Sequence, residues 1–289
     1  DAVEVKNMVT GTAALIPLAG PANKQARIVA DNIIAGNKKV YQGSIGTSIA
    51  KIFDMSVASA GASERLLQRE GFQYFTSISH AGSHAGYYPG ALPLSIKINF
   101  SPNGTLLGAQ VVGFDGVDKR IDLLAQVIRN KGTIYDLQEI EHAYAPPFSS
   151  AKDPVNMAGF IAENILEGHV KIVHWYDIEN IDPDTMVVDI RTEEEYQSGH
   201  IKHAVNIPLD ELRERLDEIP RDKKIYLYCA VGLRGYTASR ILMQHGYPSV
   251  YNVSGGYTTY KHAMMEKYGT EEYDLFQAID DDGTVSHQS

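Results

Sequence analysis

A cysteine and an arginine, Cys229 and Arg234, occur where the sequence predicts the end of a buried strand and the start of a helix. The predicted strand is 224–228, and the helix is expected to begin near Gly235. The turn between them contains Gly232. A short glycine-containing turn directs backbone N–H groups inward at the helix N-terminus, where anions bind. Because the helix dipole and a nearby guanidinium both stabilise a thiolate, we predict that Cys229 is a reactive nucleophile.

The same donors would stabilise a terminal sulfur on the cysteine, as in a persulfide, Cys–S–S⁻. The residues predicted to surround that sulfur are Ala230, Val231, Gly232, Leu233 and Gly235. Two alternatives stay open. Cys229 could be a small buried apolar residue at a strand end, as most lone cysteines are. Arg234 could be a surface arginine at a helix start, although the dipole disfavours a cation there unless it has an anionic partner.

Several short motifs surround this loop. In chain order they are Asp189-Ile-Arg191, Glu195-Tyr, Gly199-His-Ile, Asn206-Ile-Pro208, Cys229-Ala-Val-Gly-Leu-Arg234 and Gly255-Gly-Tyr. Together they resemble the signature of a single rhodanese domain covering residues 175–265. The resemblance implies transfer of sulfane sulfur through a cysteine persulfide, from a sulfane-sulfur donor to a thiol acceptor, with coenzyme A persulfide as a candidate. Asp189, Arg191 and His200 match positions near that site, but a structural interpretation is favoured: a buried Asp–Arg pair and a His bonded to a neighbouring loop.

A cysteine phosphatase is the competing interpretation of this loop, since such enzymes also place a Cys-to-Arg loop at a helix start. Phosphatases that it resembles have five residues between the cysteine and the arginine, enough to surround a tetrahedral oxyanion. This loop has four, 230–233, which fits a single sulfur better.

The first half of the sequence contains no comparable chemistry. Residues 1–168 contain no cysteine, no notable Ser/His/Asp spacing and no G-x-G-x-x-G after a predicted strand. His80 and His84 have a metal-like spacing, but Gly82 and Gly86 lie among them and disfavour a helix. We therefore predict a loop there and no metal site.

Four stretches of the first half nevertheless resemble a family. They are Ile16-Pro-Leu-Ala-Gly-Pro-Ala-Asn-Lys-Gln25, Gly46-Thr-Ser-Ile with Phe53, Gly86-Tyr-Tyr-Pro-Gly90 and His142-Ala-Tyr-Ala-Pro-Pro-Phe-Ser-Ser-Ala-Lys-Asp-Pro154. They are similar to the C-terminal part of coenzyme A-disulfide reductases, which are flavin-containing pyridine nucleotide-disulfide oxidoreductases. Members fused to a rhodanese domain act as coenzyme A-disulfide or persulfide reductases. The resemblance implies FAD and NAD(P)H for the complete enzyme.

In that family the flavin fold, the nucleotide fold and the redox cysteine precede the part matched here, and this sequence contains none of them. We therefore expect a piece of a longer protein that binds neither cofactor alone. By resemblance, Asp1 closes the second flavin motif and bonds the ribityl chain. The helix starting near Pro21 and Ala22 would place its N-terminus under the flavin ring.

The resemblance also implies that residues 39–168 pair two subunits in a homodimer. Tyr144, and one of Tyr87 or Tyr88, would then reach the active site of the partner subunit. The alternative for these tyrosines, favoured for the isolated chain, is packing in the dimer interface or in the core.

The elements that position these residues predict α+β and α/β architecture in succession. We expect a remnant of a flavin domain (1–38), an α+β dimerisation domain with an antiparallel sheet (39–168), an α/β rhodanese domain with a mostly parallel sheet (169–270) and a flexible tail (271–289). Within these, we predict one strand at 48–57, a hairpin around Ser-Pro-Asn-Gly and a helix at 209–218.

Composition limits the function classes. The net charge is −10, with 14 basic and 15 acidic residues in 1–168 but 12 and 21 in 169–289, which argues against nucleic acid as a partner. No apolar run approaches the roughly 20 residues that span a bilayer, so no membrane partner is expected. The first residues do not have the pattern of a signal peptide. A single cysteine suits the reducing cytoplasm and requires a partner thiol from outside this chain.

Two other functional classes stay open. The rhodanese-like half could be a docking module without catalysis, or the chain could serve mainly as a dimerisation scaffold.

Overall fold

The computed structural model describes residues 1–270, and packing divides the chain into two units between Leu166 and Glu167. This division lies close to the boundary predicted at residue 168. The boundary predicted at residue 38 stays a prediction, since 1–38 and the following residues group in one unit. The predicted tail, 271–289, lies outside the described residues.

The first unit is built on an antiparallel sheet of five strands in the order β3-β4-β7-β6-β5. The strands of the unit are β1 Glu4–Lys6, β2 Ala13–Leu15, β3 Ser48–Ile52, β4 Met55–Gly61, β5 Phe75–Gly82, β6 Pro93–Phe100 and β7 Leu106–Gly113. Its helices are α1 Ala19–Ala35, α2 Glu64–Arg69, α3 Val117–Arg129, α4 Ile134–Gln138 and α5 Pro154–Leu166. Strands β1 and β2 form a separate antiparallel pair.

Alternation in β6 determines which face of this sheet is covered. Leu94, Ile96 and Ile98 are each 1% exposed and belong to one apolar core with Ile121 and Leu124 of α3. Residues two apart on a strand point to the same face, and residues three apart on a helix share a stripe. The sheet and α3 therefore bury each other.

The single strand predicted at 48–57 is wrong. The chain turns back at Phe53 and Asp54, so that β3 pairs with β4 in antiparallel register, Ile52 opposite Met55. Phe53 adopts a φ of 50°, a left-handed conformation uncommon for a bulky residue. Neither glycine nor proline occurs at this turn, so the usual signal of a hairpin is absent.

The second unit is built on a sheet of five strands in the order β10-β9-β11-β12-β8, and each of its pairings is parallel. Its strands are β8 Ile172–Val173, β9 Thr185–Asp189, β10 Val205–Asn206, β11 Lys224–Tyr228 and β12 Val250–Val253. Its helices are α6 Trp175–Glu179, α7 Glu193–Gln197, α8 Leu233–Gln244 and α9 Gly256–Tyr268. The carboxyl ends of parallel strands share one edge, so β9 and β11 deliver their following loops to the same place. The predicted succession of an α+β and an α/β fold is confirmed.

The helix predicted at 209–218 is wrong. This stretch forms turns and a short 3₁₀ segment, Leu216–Glu218. The Tyr247 hydroxyl donates to the carbonyl oxygens of Leu216, at 2.6 Å, and Ile219, at 3.2 Å. These tertiary hydrogen bonds engage carbonyls of the segment, and its apolar residue Leu212 is buried in the core without a regular helix.

No helix among residues 1–270 combines the length and the apolarity that crossing a membrane requires.

Candidate active site

Cys229 directly follows β11 at the carboxyl edge of the parallel sheet and is 1% exposed. Its Sγ accepts a hydrogen bond from the backbone N–H of Gly232 at 3.1 Å. Gly232 is the N-cap of α8 and has a φ of 112°, a conformation that L side chains rarely adopt. Helix α8 begins at Leu233, two residues before the start predicted near Gly235. The sulfur therefore lies at a helix N-terminus, as expected.

Backbone hydrogen bonds from the start of α9 fix the conformation of the cysteine loop. The N–H groups of Tyr257 and Thr258 donate to the carbonyl oxygens of Cys229, at 2.8 Å, and Ala230, at 3.0 Å. A Cβ on Gly256 would lie 2.4 Å from the Cys229 oxygen, so only glycine permits this approach. The Gly-Gly-Tyr motif therefore shapes the loop through its backbone.

Gly235 lies in the first turn of α8 rather than in the loop. A Cβ on Gly235 would lie 2.0 Å from Oδ1 of Asn252. The Asn252 side chain in turn donates to the Gly232 carbonyl at 3.1 Å. The absence of a side chain on Gly235 thus lets Asn252 reach the loop.

Arg234 forms a two-pronged ion pair with Glu195. Its two terminal nitrogens lie 2.7 Å from Oε2 and 2.7 Å from Oε1 of the carboxylate. The hydrogen bond from Arg234 lowers the pKa of Glu195 to about 2. The pKa of Arg234 is raised by Glu195 and further by the sulfur of Cys229. Arg234 thus has the anionic partner expected, but that partner is a carboxylate as well as the sulfur.

Glu195 is fixed at the start of α7 by a capping box. Its Oε2 accepts from the Thr192 N–H at 3.1 Å, and its own N–H donates to the Thr192 hydroxyl at 3.4 Å. The motif S/T-x-x-E is the usual sequence signature of such a cap. Sequence reasoning quoted Glu195 as part of a motif but did not identify it as the partner of Arg234.

Asp189 and Arg191 form the buried pair expected on structural grounds. The Arg191 Nη2 lies 2.6 Å from Oδ2 of Asp189, and the two residues are 4% and 0% exposed. Burial lowers the pKa of Arg191, but the hydrogen bond and charge of Asp189 outweigh it and raise the pKa. The guanidinium also donates to the Gly199 carbonyl at 2.7 Å and lies 4.3 Å from the centre of the Tyr257 ring.

His200 packs on the neighbouring helical turn. Its ring stacks on the Tyr196 ring with centroids 3.9 Å apart, and its Nδ1 lies 3.1 Å from the Tyr196 carbonyl oxygen. Its role near the sulfur site stays a prediction.

In the first unit, two of the three predicted tyrosines meet. The hydroxyls of Tyr87 and Tyr144 lie 3.1 Å apart, although the residues are 57 positions apart in sequence. The hydrogen bond between the two hydroxyls raises the pKa of Tyr144. Tyr88 instead packs edge-on against His84. All three tyrosines are exposed in this chain.

A buried ion pair, missed by sequence reasoning, ties the two tyrosine loops together. Arg120 donates to Asp153 Oδ2 at 2.9 Å and to the Ser83 carbonyl at 2.7 Å. Asp153 also accepts from the Ser149 hydroxyl at 2.6 Å, and the Ser149 carbonyl accepts from the Ala85 N–H at 2.9 Å. One sequence signal was present: Arg120 lies on the same face of α3 as the apolar residues that recur at helical spacing.

His142 lies against this ion pair, with its Nδ1 3.8 Å from Asp153 Oδ2 and its side chain 4% exposed. Within the described residues neither ring nitrogen has a hydrogen-bond partner. Burial lowers the pKa of His142, and the Asp153 charge opposes this without reversing it. The lowered pKa favours the neutral form of His142.

The residues assigned to flavin by resemblance do not form a complete flavin site. Asp1 is exposed, and α1, which carries Pro21 and Ala22, has no buried residue along its length. No side chain caps the first turn of α1, and a Cβ on Gly20 would meet nothing within 4 Å. The start of α1 could form one wall of a site, but the described residues do not enclose it.

The loop predicted around His80 is wrong in part. His80 lies in β5, paired with Ser95 of β6, and its Nδ1 lies 2.7 Å from the Ser95 hydroxyl oxygen. His84 lies in the loop that follows. Across residues 1–270, no three His, Cys, Asp or Glu side chains are grouped so as to hold a metal ion.

Comparison with known families matches both units. Residues 47–154 match the pyridine nucleotide-disulphide oxidoreductase dimerisation domain, and residues 174–263 match the rhodanese-like domain. Two stretches of the chain therefore match these two domains in the predicted order, which supports the resemblance to a rhodanese domain and to coenzyme A-disulfide reductases.

Reductases are among the similar proteins. Coenzyme A disulfide reductase of Staphylococcus haemolyticus is 42% identical over 154 residues, which cover 53% of this chain and 34% of that protein. The crystal structure of reduced CoADR-RHD of Bacillus anthracis is 48% identical with a TM-score of 0.88, covering 92% of this chain and 48% of that one. An NAD-dependent persulfide reductase from A. fulgidus is 40% identical with a TM-score of 0.80, covering 88% and 46%. The chain thus spans about a third of the matched curated relative and about half of these solved chains.

Proposed function

We propose that Cys229 transfers sulfane sulfur through a persulfide, and that this chain supplies the sulfur-transfer and dimerisation parts of a flavin- and NAD(P)H-dependent reductase of coenzyme A disulfide or persulfide. The observation that carries the proposal is the contact of the Cys229 sulfur with the Gly232 N–H at the start of α8. That geometry suits a thiolate or a terminal persulfide sulfur. The names of the similar reductases agree with it.

The transfer consists of two displacements at sulfur. In the first, the Cys229 thiolate attacks the outer sulfur of a donor R–S–SH. The bond between Sγ and that sulfur forms, the donor S–S bond breaks, and R–S⁻ leaves with the electron pair and takes a proton from water. In the second, an acceptor thiolate attacks the outer sulfur of the Cys229 persulfide and releases the Cys229 thiolate. Neither step requires an oxidant or a reductant.

The loop performs three tasks in this scheme. The Gly232 N–H and the α8 dipole stabilise negative charge on the sulfur. Arg234, paired with Glu195, sets the net charge beside the sulfur. The backbone contacts from α9 keep the loop in one shape, so the donors are ordered before a substrate arrives.

The first unit is proposed to pair two copies of the chain. In that dimer, the hydrogen-bonded Tyr87 and Tyr144 would contact the active site of the partner subunit. The exposure of both tyrosines and the buried ion pair behind their loops support this role. Sedimentation of the full chain is expected to show a dimer, and a monomer at all concentrations would contradict it.

Sulfur loading tests the chemistry directly. The purified full chain is incubated with thiosulfate or an alkyl persulfide, and its intact mass and cyanolysable sulfur are measured. We expect a gain of one sulfur atom that cyanide removes, and no gain in Cys229→Ser. Hydrolysis of p-nitrophenyl phosphate without any cyanolysable sulfur would instead support the phosphatase alternative. Full loading of Cys229→Ser would exclude this cysteine as the carrier.

A further inference from the structure

The arginine beside the reactive sulfur is already engaged by a carboxylate. Both terminal nitrogens of Arg234 donate to Glu195 at 2.7 Å. A guanidinium binds an oxyanion best through this same two-pronged fork. Because Glu195 occupies it, Arg234 presents little free positive charge to an incoming anion. The ion pair is about one-third exposed, so solutes can reach it.

The charges behind this pair compensate one another as well. Asp189 neutralises Arg191 in the buried layer, and the charge of Arg191 acts in turn on Glu195. Residues 169–289 hold 12 basic and 21 acidic side chains, so the long-range field around this half repels anions. That repulsion is stronger for a dianion than for a singly charged or neutral solute.

The loop also presents apolar surface next to the sulfur. Val231 is 39% exposed and Leu233 is 65% exposed, and they flank Gly232, whose N–H contacts the sulfur. Exposed apolar side chains beside a reactive atom favour a substrate with an apolar segment, because binding removes both surfaces from water.

We propose that Glu195 determines which sulfur donor Cys229 accepts. By occupying Arg234, it disfavours doubly charged inorganic donors such as thiosulfate. The loop then accepts organic persulfides, whose apolar segment packs on Val231 and Leu233. This inference rests on the proposed sulfur transfer. With thiosulfate the thiolate attacks the outer sulfur, the Sγ–S bond forms, the S–S bond breaks and sulfite leaves with the electron pair, so both donors yield the same persulfide.

Glu195→Gln in the full chain tests this role. Glutamine also serves at this position of a capping box, so the start of α7 is retained. The substitution leaves the charge of Arg234 uncompensated. We expect kcat/KM with thiosulfate to rise about tenfold, and kcat/KM with pantetheine persulfide, which has an uncharged body, to change less than about threefold.

Glu193→Gln is the matched control, because it removes one negative charge from the same helix. The Glu193 carboxylate accepts a hydrogen bond from the Gln197 side chain and is not the partner of Arg234. We expect both donors to change less than about twofold in this variant. An equal gain for thiosulfate in the Glu193 and Glu195 variants would overturn the inference, since net charge alone would then explain the gain.

A second variant tests the apolar part independently. Leu233→Ser is expected to raise KM for pantetheine persulfide about threefold or more relative to KM for thiosulfate. A donor ratio that stays at the wild-type value in both the Glu195 and the Leu233 variants, while Cys229 still takes up sulfur, overturns the inference alone. Failure of the wild-type chain to form cyanolysable sulfur from either donor overturns the proposed function instead.

Discussion

Two arginine–carboxylate pairs lie at the two candidate sites, and they differ mainly in burial. The Nη2 of Arg120 lies 2.9 Å from the Oδ2 of Asp153, and the two side chains are 1% and 0% exposed. Arg234 and Glu195 are 2.7 Å apart with side chains 34% and 35% exposed. Removing one partner of a buried pair leaves a charge in a medium that cannot solvate it. At an exposed pair, water solvates the charge that remains. The first pair is therefore suited to hold loops, and the second to adjust the charge that a ligand meets.

Asp153→Asn should have the largest effect. It leaves the Arg120 guanidinium buried without a counter-charge, and we expect the free energy of unfolding to fall by about 3–5 kcal/mol. Asparagine keeps the oxygen that accepts from the Val155 N–H, so the helix cap is retained. Denaturant unfolding followed by circular dichroism measures the loss, with the exposed Asp118→Asn on α3 as control. A loss equal to that of the control would remove the contrast between the two pairs.

Asp189→Asn tests whether burial of an ion pair, or the unit in which the pair lies, determines the loss of stability. This pair lies in the unit that contains Cys229, but it is as buried as the first pair. We expect a loss of about 3 kcal/mol, at the lower end of the range for buried pairs, because Arg191 keeps its contacts with the Gly199 carbonyl and the Tyr257 ring. A loss as small as that of an exposed pair, measured by the same unfolding experiment, would show that burial is not the deciding variable.

Acidification should lower the free energy of unfolding by a smaller amount, through His142, which lies against the buried pair. Burial holds the pKa of His142 below its usual value, so the unfolded chain binds more protons than the native chain between that lowered pKa and about 6.5. Stability therefore falls as the pH falls through this window. Unfolding at pH 7.5 and 5.5 should show a smaller loss in His142→Gln than in the wild type. Identical losses in the two proteins would exclude His142 as the source.

Glu195→Gln should have the smallest effect on stability, below about 1 kcal/mol, because the pair is exposed and the cap is retained. The effect should shrink further in high salt. The same variant is expected to change donor preference clearly. A loss above that of Asp189→Asn in the same unfolding measurement would place the exposed pair among the structural ones and erase the distinction.

The sequence predicted what depends on neighbouring residues. The apolar strand before Cys229, the glycine after it and the helix beyond are consecutive, so their order sufficed to place the sulfur at a helix N-terminus. Alternation of short strands and helices predicted the parallel sheet in the same way. The pairing of Asp189 with Arg191 was also accessible, because the two residues are two positions apart.

What the sequence did not predict depends on distant residues. Glu195 and Arg234 are 39 positions apart, Arg120 and Asp153 are 33 apart, and only the folded sheet and helices bring them together. Local propensity also failed at 209–218, where hydrogen bonds from the distant Tyr247 replace helical ones. The turn at Phe53 lacks the residues that usually announce a hairpin, and cross-strand pairing decides it instead.

The backbone contact between α9 and the cysteine loop also sets an order of events during synthesis. Cys229 leaves the ribosome well before Gly256 and Tyr257, which follow it in the chain. Until those residues emerge, the Cys229 carbonyl lacks the N–H that fixes it, and the loop lacks its final shape. The nascent chain therefore carries a thiol that is present but not yet organised. The proposed sulfur transfer at Cys229 would therefore require that the last helix of the described fold has docked.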